Sequence, residues 1–354
     1  MVSFADLLAP TTLNTFFAAH WEQQPLAIQR ADQCYYRSLL SFADIDHILT
    51  STTPRHPDFR LVKDGATLPL ARYTRQNSRG DAVADVDKIL TEYSQGVSIV
   101  LESLHERWQP LAYLCRELEQ HLSHPVQTNI YLTPRSAQGF APHYDTHDVF
   151  VLQIHGTKHW RIYDAPVHLP DRSLPHHTDR ARLGPPLNEL SLAAGDLLYL
   201  PRGFVHEALT AEEESLHITV GILTYTWFDV FTEVLTARRR ADVRFRASLP
   251  AGFAGRGITD GMRDCFRELA AALGSDGDVD DAVAKIAARF VASRRPLLDG
   301  ALVRFYDAED LTVDSTVRPR ASIIFRLITE GDTVILQLAG KQITLPDYVE
   351  SSLH

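Results

Sequence analysis

The chain has 354 residues, long enough for two or three packed units with sizeable cores, and its 45% hydrophobic and 23% charged residues are those of an ordinary soluble globular protein. A formal net charge of −10 argues against a general nucleic-acid binder, and no segment has the apolar length of a membrane span. Cys34, Cys115 and Cys265 are too far apart for a disulfide framework or zinc pattern and are expected as buried small residues in a reducing cytoplasm; the start, MVSFADLLAPTTL, lacks the cationic and apolar regions of a signal peptide.

Residues 1 to about 50 read as capped helices, with Thr11-Thr12 capping a helix that carries Leu13, Phe16 and Phe17 and leads to a first strand through Trp21-Glu22 and Pro25-Leu26. Residues 51–81, punctuated by Pro54, Pro57 and Pro69, predict loops and short strands. Helical spacing follows over 81–93, then a short strand over 97–101. Leu104, Trp108, Leu111, Cys115, Leu118 and Leu122 recur at three- and four-residue steps, which predicts a helix with one buried face and Pro110 in its first turns.

Asn129 to Tyr163 carries the densest chemistry. His143 and Asp145 form H-x-D, and on an extended strand residues two apart share a face, so imidazole and carboxylate project together. The apolar run 149–154, a turn at Gly156 and the segment 158–163 read as a β-hairpin that returns Lys158 over the same inner surface. His147, His155 and His159 are expected as surface or supporting residues.

Residues 164–186 are a Pro- and His-rich loop of irregular spacing, read as solvated rather than as a metal site. A strand at 197–200 and the turn Pro201-Arg202-Gly203 deliver His206, and 215–225 is β-rich with His217 and Thr219 on the inner face. Two histidines and one carboxylate with positions left open match the facial triad of non-heme Fe(II) oxygenases, and a cation at Lys158 suits the far carboxylate of a dicarboxylate cosubstrate.

From Trp227 the texture is helical: an apolar stripe of Phe228, Phe231, Val234 and Leu235, then a basic cluster at Arg238-Arg239-Arg240, Arg244 and Arg246, read as a solvated or salt-bridging face. Helices over 259–273 and 279–293 follow. Segments 321–328 and 333–338, turning at Glu330-Gly331-Asp332, predict a hairpin, with 341–346 beyond it.

The motifs N-x-Y-L-T-P at 129–134, Q-G-F-A-P-H-Y-D at 138–145, V-L-Q-I-x-G-x-K-x-W-R-I-Y at 151–163, L-P-R-G-x-x-H at 200–206 and S-L-H-I-T at 215–219 resemble the JmjC-type, cupin-fold 2-oxoglutarate oxygenases, within them the ribosomal oxygenase branch of bacterial and nucleolar protein hydroxylases. The resemblance implies a mainly β core, the double-stranded β-helix of the cupin/JmjC type with flanking helices, over 1–225. It implies a helical dimerisation module over 226–296 and a winged-helix-like module over 297–354, whose few cations (Arg318, Arg320, Arg326, Lys341) argue against direct nucleic-acid contact. His143, Asp145 and His206 are the implied iron ligands, Lys158 and Asn129 the 2-oxoglutarate contacts, and Tyr131 the neighbour of the substrate side chain.

The implied cofactors are Fe(II), 2-oxoglutarate and O₂. The implied activity is hydroxylation of a histidine or arginine of a ribosomal protein, with succinate and CO₂ as coproducts, by a cytoplasmic homodimer. Gly221 departs from the pattern, since the family often carries a small hydroxyl residue there, and His147 and Asp148 stand where many relatives have acidic residues; both leave the target residue open. The rivals are the same chemistry on a non-ribosomal peptide or small metabolite, demethylation of a methyl-lysine, and a non-catalytic cupin-type regulator, against which the intact triad with Lys158 counts.

Overall fold

The computed structural model describes residues 2–135, 137, 141–174, 180–210, 212–273, 276–307, 311–312, 314–316, 320 and 322–349. They divide into two units, Met1–Thr224 and Tyr225–His354.

The first unit opens on α1 (Phe4–Leu8), capped reciprocally by Ser3 and Asp6, and α2 (Leu13–Ala19), whose first turn is capped by Thr12 accepting from the Thr15 N–H. There follow β1 (Leu26–Ile28), α3 (Phe42–Ser51), β2 (Phe59–Lys63), β3 (Ala66–Thr67), β4 (Thr74–Gln76), β5 (Ala82–Ala84), α4 (Val86–Ser94) and β6 (Ser98–Leu101). The helix expected over 81–93 is thus shorter: Asp85 caps it, and residues 82–84 pair with β4 instead. Next is α5 (Gln109–Leu122). Leu104 to Glu106 forms a separate 3-10 turn, because Pro110, which has no N–H to give, suits a helix start.

The remaining strands are β7 (Val126–Thr133), β8 (Asp148–His155), β9 (Lys158–Ile162), β10 (Asn188–Leu192), β11 (Leu197–Leu200), β12 (His206–Thr210) and β13 (Ser215–Ile222). They build an eight-stranded sheet ordered β1-β11-β8-β13-β7-β6-β2-β3 and a three-stranded sheet ordered β10-β9-β12, the mainly β core anticipated for this segment. Along β7 the side chains alternate. Val126, Ile130 and Leu132 join the core shared with Leu111, Leu114 and Leu118 of α5, while Gln127, Asn129 and Tyr131 face the other way and stay half-buried. A second core fills the space between the sheets: Val149, Val151, Leu198 and Leu200 from the large one meet Trp160, Ile162 and Leu192 from the small one.

The expected hairpin between the 149–154 run and the Lys158 segment does not form. β8 pairs with β11 and β13, whereas β9 pairs with β10 and β12, so the turn at Gly156 carries the chain from one sheet to the facing one. The cause lies in β8 itself: Phe150 and Leu152 enter one core, Val149 and Val151 the other, and a strand buried on both faces sits centrally with two partners already. Gly156 makes the corner at φ 65°, where a Cβ would lie 1.9 Å from the carbonyl oxygen of Glu214. Cysteine placement also differs from expectation: Cys115 is buried, but Cys34 and Cys265 are exposed.

The second unit contains α6 (Trp227–Ala241), α7 (Phe253–Arg256), α8 (Asp260–Ala271), α9 (Asp276–Ser293) and α10 (Ala301–Asp307), then an antiparallel sheet of β14 (Phe325–Glu330), β15 (Thr333–Leu338) and β16 (Lys341–Pro346). Thr226 and Asp229 box the start of α6. Ion pairs Arg238–Asp278 and Arg289–Glu233 join α6 to α9, and Arg326 of β14 donates to the Ala284 carbonyl of α9. The basic cluster is in part internally paired, with Arg244 on Asp242 and Arg246 on the carbonyls of Arg239 and Arg240. Within the apolar stripe of α6 only Val234 is buried; Trp227 and Phe228 are 73% and 74% exposed. Arg318 and the first residue of the predicted hairpin, Ala321, lie outside the described residues.

Candidate metal and anion site

A cavity of about 260 Å³ opens between the two sheets, lined among others by Tyr131, Thr133, His143, Asp145, Lys158, His206, His217 and Thr219. At one end, one potential ligand atom from each of His143, Asp145 and His206 lies within 4.8 Å of the other two, and His206 Nε2 is 3.8 Å from Asp145 Oδ2. The backbone holds this cluster. His143 and His206 exchange N–H···O bonds of 3.1 and 2.8 Å as an isolated bridge, and the Gly203 N–H donates to the Asp145 carbonyl at 3.1 Å.

Each imidazole is turned by a carbonyl. His143 Nδ1 donates to the Ala141 carbonyl at 2.9 Å and His206 Nδ1 to that of Phe204 at 3.0 Å, so on both rings the Nε2 lone pair is left for a ligand bond. Burial, with a smaller contribution from His143, pushes His206 well below the usual histidine range. It is therefore neutral at pH 7, the form a metal requires. Two neutral imidazoles and a carboxylate on one side of an open cavity suit a divalent first-row metal with free coordination positions.

At the other end Lys158 is 4% exposed, and its Nζ donates to Thr133 Oγ1 at 3.2 Å, with Ser98 Oγ 3.4 Å behind. No ion pair of Lys158 with a carboxylate occurs among the described residues. Desolvation lowers its pKa to about 7 from 10.5. A buried amine held only by a hydroxyl is a vacancy in charge, and a carboxylate in the cavity would fill it.

Between the ends, Tyr131 stacks on His217 with ring centroids 4.9 Å apart and 8° between planes. Burial, then Asp145, pushes the Tyr131 hydroxyl up, so it stays protonated. His217 is pushed far down by desolvation and by Lys158, and its Nδ1 has no hydrogen-bond partner among the described residues. Asn129 sits two residues before Tyr131 on the same strand face, opposite Thr219, with its Oδ1 accepting from the Ser103 N–H at 3.0 Å.

A model of the JmjC domain matches residues 103–230. Ribosomal oxygenase 1 of Gallus gallus is 36% identical over 285 residues, covering 75% of this chain and 46% of the relative. The chain belongs to the JmjC-type ribosomal oxygenase family. Similar to it is the bifunctional lysine-specific demethylase and histidyl-hydroxylase NO66 of Drosophila melanogaster, 31% identical over 362 residues, with 92% of this chain and 55% of the relative covered. The chain thus spans about half the length of these curated relatives.

Among solved structures, the ribosomal oxygenase YcfD from Escherichia coli in complex with cobalt and 2-oxoglutarate superposes with a TM-score of 0.52 at 18% identity, covering 94% of this chain and 86% of that one. At that identity the match speaks for the fold. The JmjC match takes in every residue named above at the two ends of the cavity except Ser98.

Sequence reasoning missed one group that holds this JmjC domain's metal end. Arg202 Nη1 donates to Asp148 Oδ2 at 2.7 Å and also pairs with Glu22, while the Arg202 N–H and the Tyr199 hydroxyl donate to Asp148 Oδ1. Asp148 is three residues past Asp145 and Arg202 four before His206, so one buried cluster ties both ligand-bearing segments to the Trp21-Glu22 turn. Partners this far apart along the chain leave no local spacing to read. His147 was set aside with the other histidines, yet its ring lies against Gly221. His155 and His159, by contrast, face outward to Glu214 and Glu189 as expected. Gln138, Gly139 and Phe140 of the Q-G-F-A-P-H-Y-D motif, and His176 and His177 of the Pro-rich loop, lie outside the described residues.

Proposed function

We propose that the chain is an Fe(II)- and 2-oxoglutarate-dependent oxygenase that hydroxylates a histidine or arginine side chain of a ribosomal protein, working in the cytoplasm as a homodimer. The observation that carries this reading is the pairing of opposites in one cavity: a His-Asp-His cluster suited to a dication at one end, and a buried Lys158 with no carboxylate partner among the described residues at the other. A five-carbon keto diacid has the matching polarity, with a chelating keto-acid head and an anionic tail. A cupin-type binding protein has no need of both ends, which weighs against the regulator reading.

His143, Asp145 and His206 are the proposed metal ligands. When bound there, Fe(II) together with 2-oxoglutarate and O₂ supplies the oxidation that converts a substrate C–H to C–OH and yields succinate and CO₂. The chain's own part is positioning. Lys158 Nζ takes up a proton as the carboxylate arrives, and Thr133 and Ser98 aim it. Val149, Val151, Trp160 and Ala208 wall the cavity and exclude water, which strengthens the ion pair inside. Asn129 and Tyr131 stand on the strand that faces the metal end, as contacts for cosubstrate and target.

The ribosomal target is supported by the relatives' names, ribosomal oxygenase and histidyl-hydroxylase. Dimerisation is supported by the exposed apolar face of α6. No helix among the described residues is long and apolar enough to cross a membrane. The test is intact-mass spectrometry of ribosomal proteins from cells with and without the gene. One protein lighter by a single oxygen atom in the deletion strain is expected, and fragmentation then names the residue. If the purified protein makes succinate from 2-oxoglutarate but no ribosomal protein changes mass, the target is not ribosomal.

A further inference from the structure

The inner face of the large sheet is laid out in cross-strand rows. Thr133 pairs with Ser215 and Tyr131 with His217, while Thr219 stands between Asn129 and Val151 and Gly221 between Gln127 and Val149. On the small sheet, Lys158 pairs with Thr210, Trp160 with Ala208, and Ile162 with His206. The Lys158–Thr133 hydrogen bond sets the two stacks level at the anion end. His206 is two rows from Lys158 and Asn129 two rows from Thr133, so the Gln127–Gly221–Val149 row lies one step beyond the metal cluster, on the side away from Lys158.

In that outer row Gly221 has no side chain, and the His147 ring occupies the space one would take. A Cβ at 221 would lie 2.6 Å from His147 Cδ2, 2.8 Å from Nε2 and 3.4 Å from Gln127 Cγ. Such contacts are closer than packed carbons allow, so Gly221 and His147 are a matched pair. The His147 imidazole and the Gln127 carboxamide are both half-buried, and neither has a hydrogen-bond partner among the described residues. A flat ring and a carboxamide with unspent polar groups thus stand in the row of Val149, which itself lines the cavity.

From this geometry we infer that His147, seated over Gly221, is a specificity residue that contacts the target side chain, and that with Gln127 it selects a planar side chain bearing N–H donors, imidazole or guanidinium, over an aliphatic one. The assignment rests on the oxygenase reading above. It places the discrimination at the outer row rather than on the metal ligands, and it accounts for a glycine in the middle of a sheet position that otherwise favours a side chain.

The test uses the full chain with Fe(II), 2-oxoglutarate and short synthetic peptides identical except for a central histidine, arginine or leucine, following succinate and peptide mass. The wild type should modify the histidine or arginine peptide and not the leucine one. His147→Phe, which keeps a flat ring but offers no hydrogen bond, should raise the KM for the preferred peptide about tenfold, with the rise in peptide KM rather than in that for 2-oxoglutarate. His147→Gln should recover part of it. Gly221→Ala, which displaces the ring without touching its chemistry, should shift peptide KM in the same direction. Unchanged peptide KM in both His147→Phe and Gly221→Ala overturns the inference, as does a wild type that treats the leucine peptide equally. A wild type that forms no succinate under any condition overturns the oxygenase reading beneath it.

Discussion

In the first unit Phe4, Phe16, Phe59, Phe150 and Tyr199 are fully buried, whereas in the second Trp227, Phe228, Phe266 and Leu302 are each 72–77% exposed. The same kinds of side chain thus meet opposite fates within one chain. Apolar area removed from water stabilises by about 25 cal/mol per Å², so the first unit draws its cohesion from its own sheets and helices. The second leaves that stabilisation unclaimed until another surface covers it. Chemistry and the proposed assembly should therefore be separable, and substitutions should act on one without the other.

The sharpest separation is expected at the metal end. His143→Ala or Asp145→Ala should cut succinate formation by about a thousandfold or more, since the reaction depends on the metal, while the oligomeric state measured by light scattering stays that of the wild type. Asp148→Ala should come next, through stability. It leaves the Arg202 guanidinium short of its buried partner, a loss of about 3–5 kcal/mol that denaturant unfolding would register in the first unit. An unaltered midpoint would mean that Glu22 alone suffices to hold Arg202.

Lys158→Met should raise the KM for 2-oxoglutarate about ten- to a hundredfold, the worth of charge-assisted hydrogen bonds. A second readout is stability against pH. The amine titrates near 7 when folded and near 10.5 when unfolded. Between those values the unfolded chain holds a proton the folded chain lacks, so stability of the ligand-free protein should rise as pH climbs from about 7 toward 10.5, by up to a few kcal/mol. That rise should be missing in Lys158→Met. The smallest effect is expected on α6. Phe228→Glu with Phe231→Glu should weaken the proposed self-association on the order of tenfold per ring, with turnover on short peptides retained; an unchanged oligomeric state would count against an interface on this face.

The site was more legible in the sequence than the fold that carries it. H-x-D and P-R-G-x-x-H are short spacings whose chemistry survives without knowledge of pairing, and all three residues do converge. Lys158 was found for a partly mistaken reason, since the strand that carries it joins the small sheet rather than folding back on β8. The apolar run of β8 holds the clue, because burial on both faces demands two neighbours, but only the finished sheet says which two. The Glu22–Arg202–Asp148 cluster was silent for a related reason: its members are brought together by tertiary contacts that no periodicity encodes. The seat of His147 over Gly221 was silent too, because an absent side chain leaves no pattern.

The reciprocal backbone bonds between His143 and His206, with the Gly203 tie to Asp145, have a kinetic meaning. Three donors already clasped by main-chain bonds need little rearrangement to receive an ion, so loading and unloading are decoupled from folding. Metal exchange in this protein should then be a matter of ordinary ligand substitution, and one purified batch, stripped by a chelator, should accept different first-row ions without passing through a denatured state.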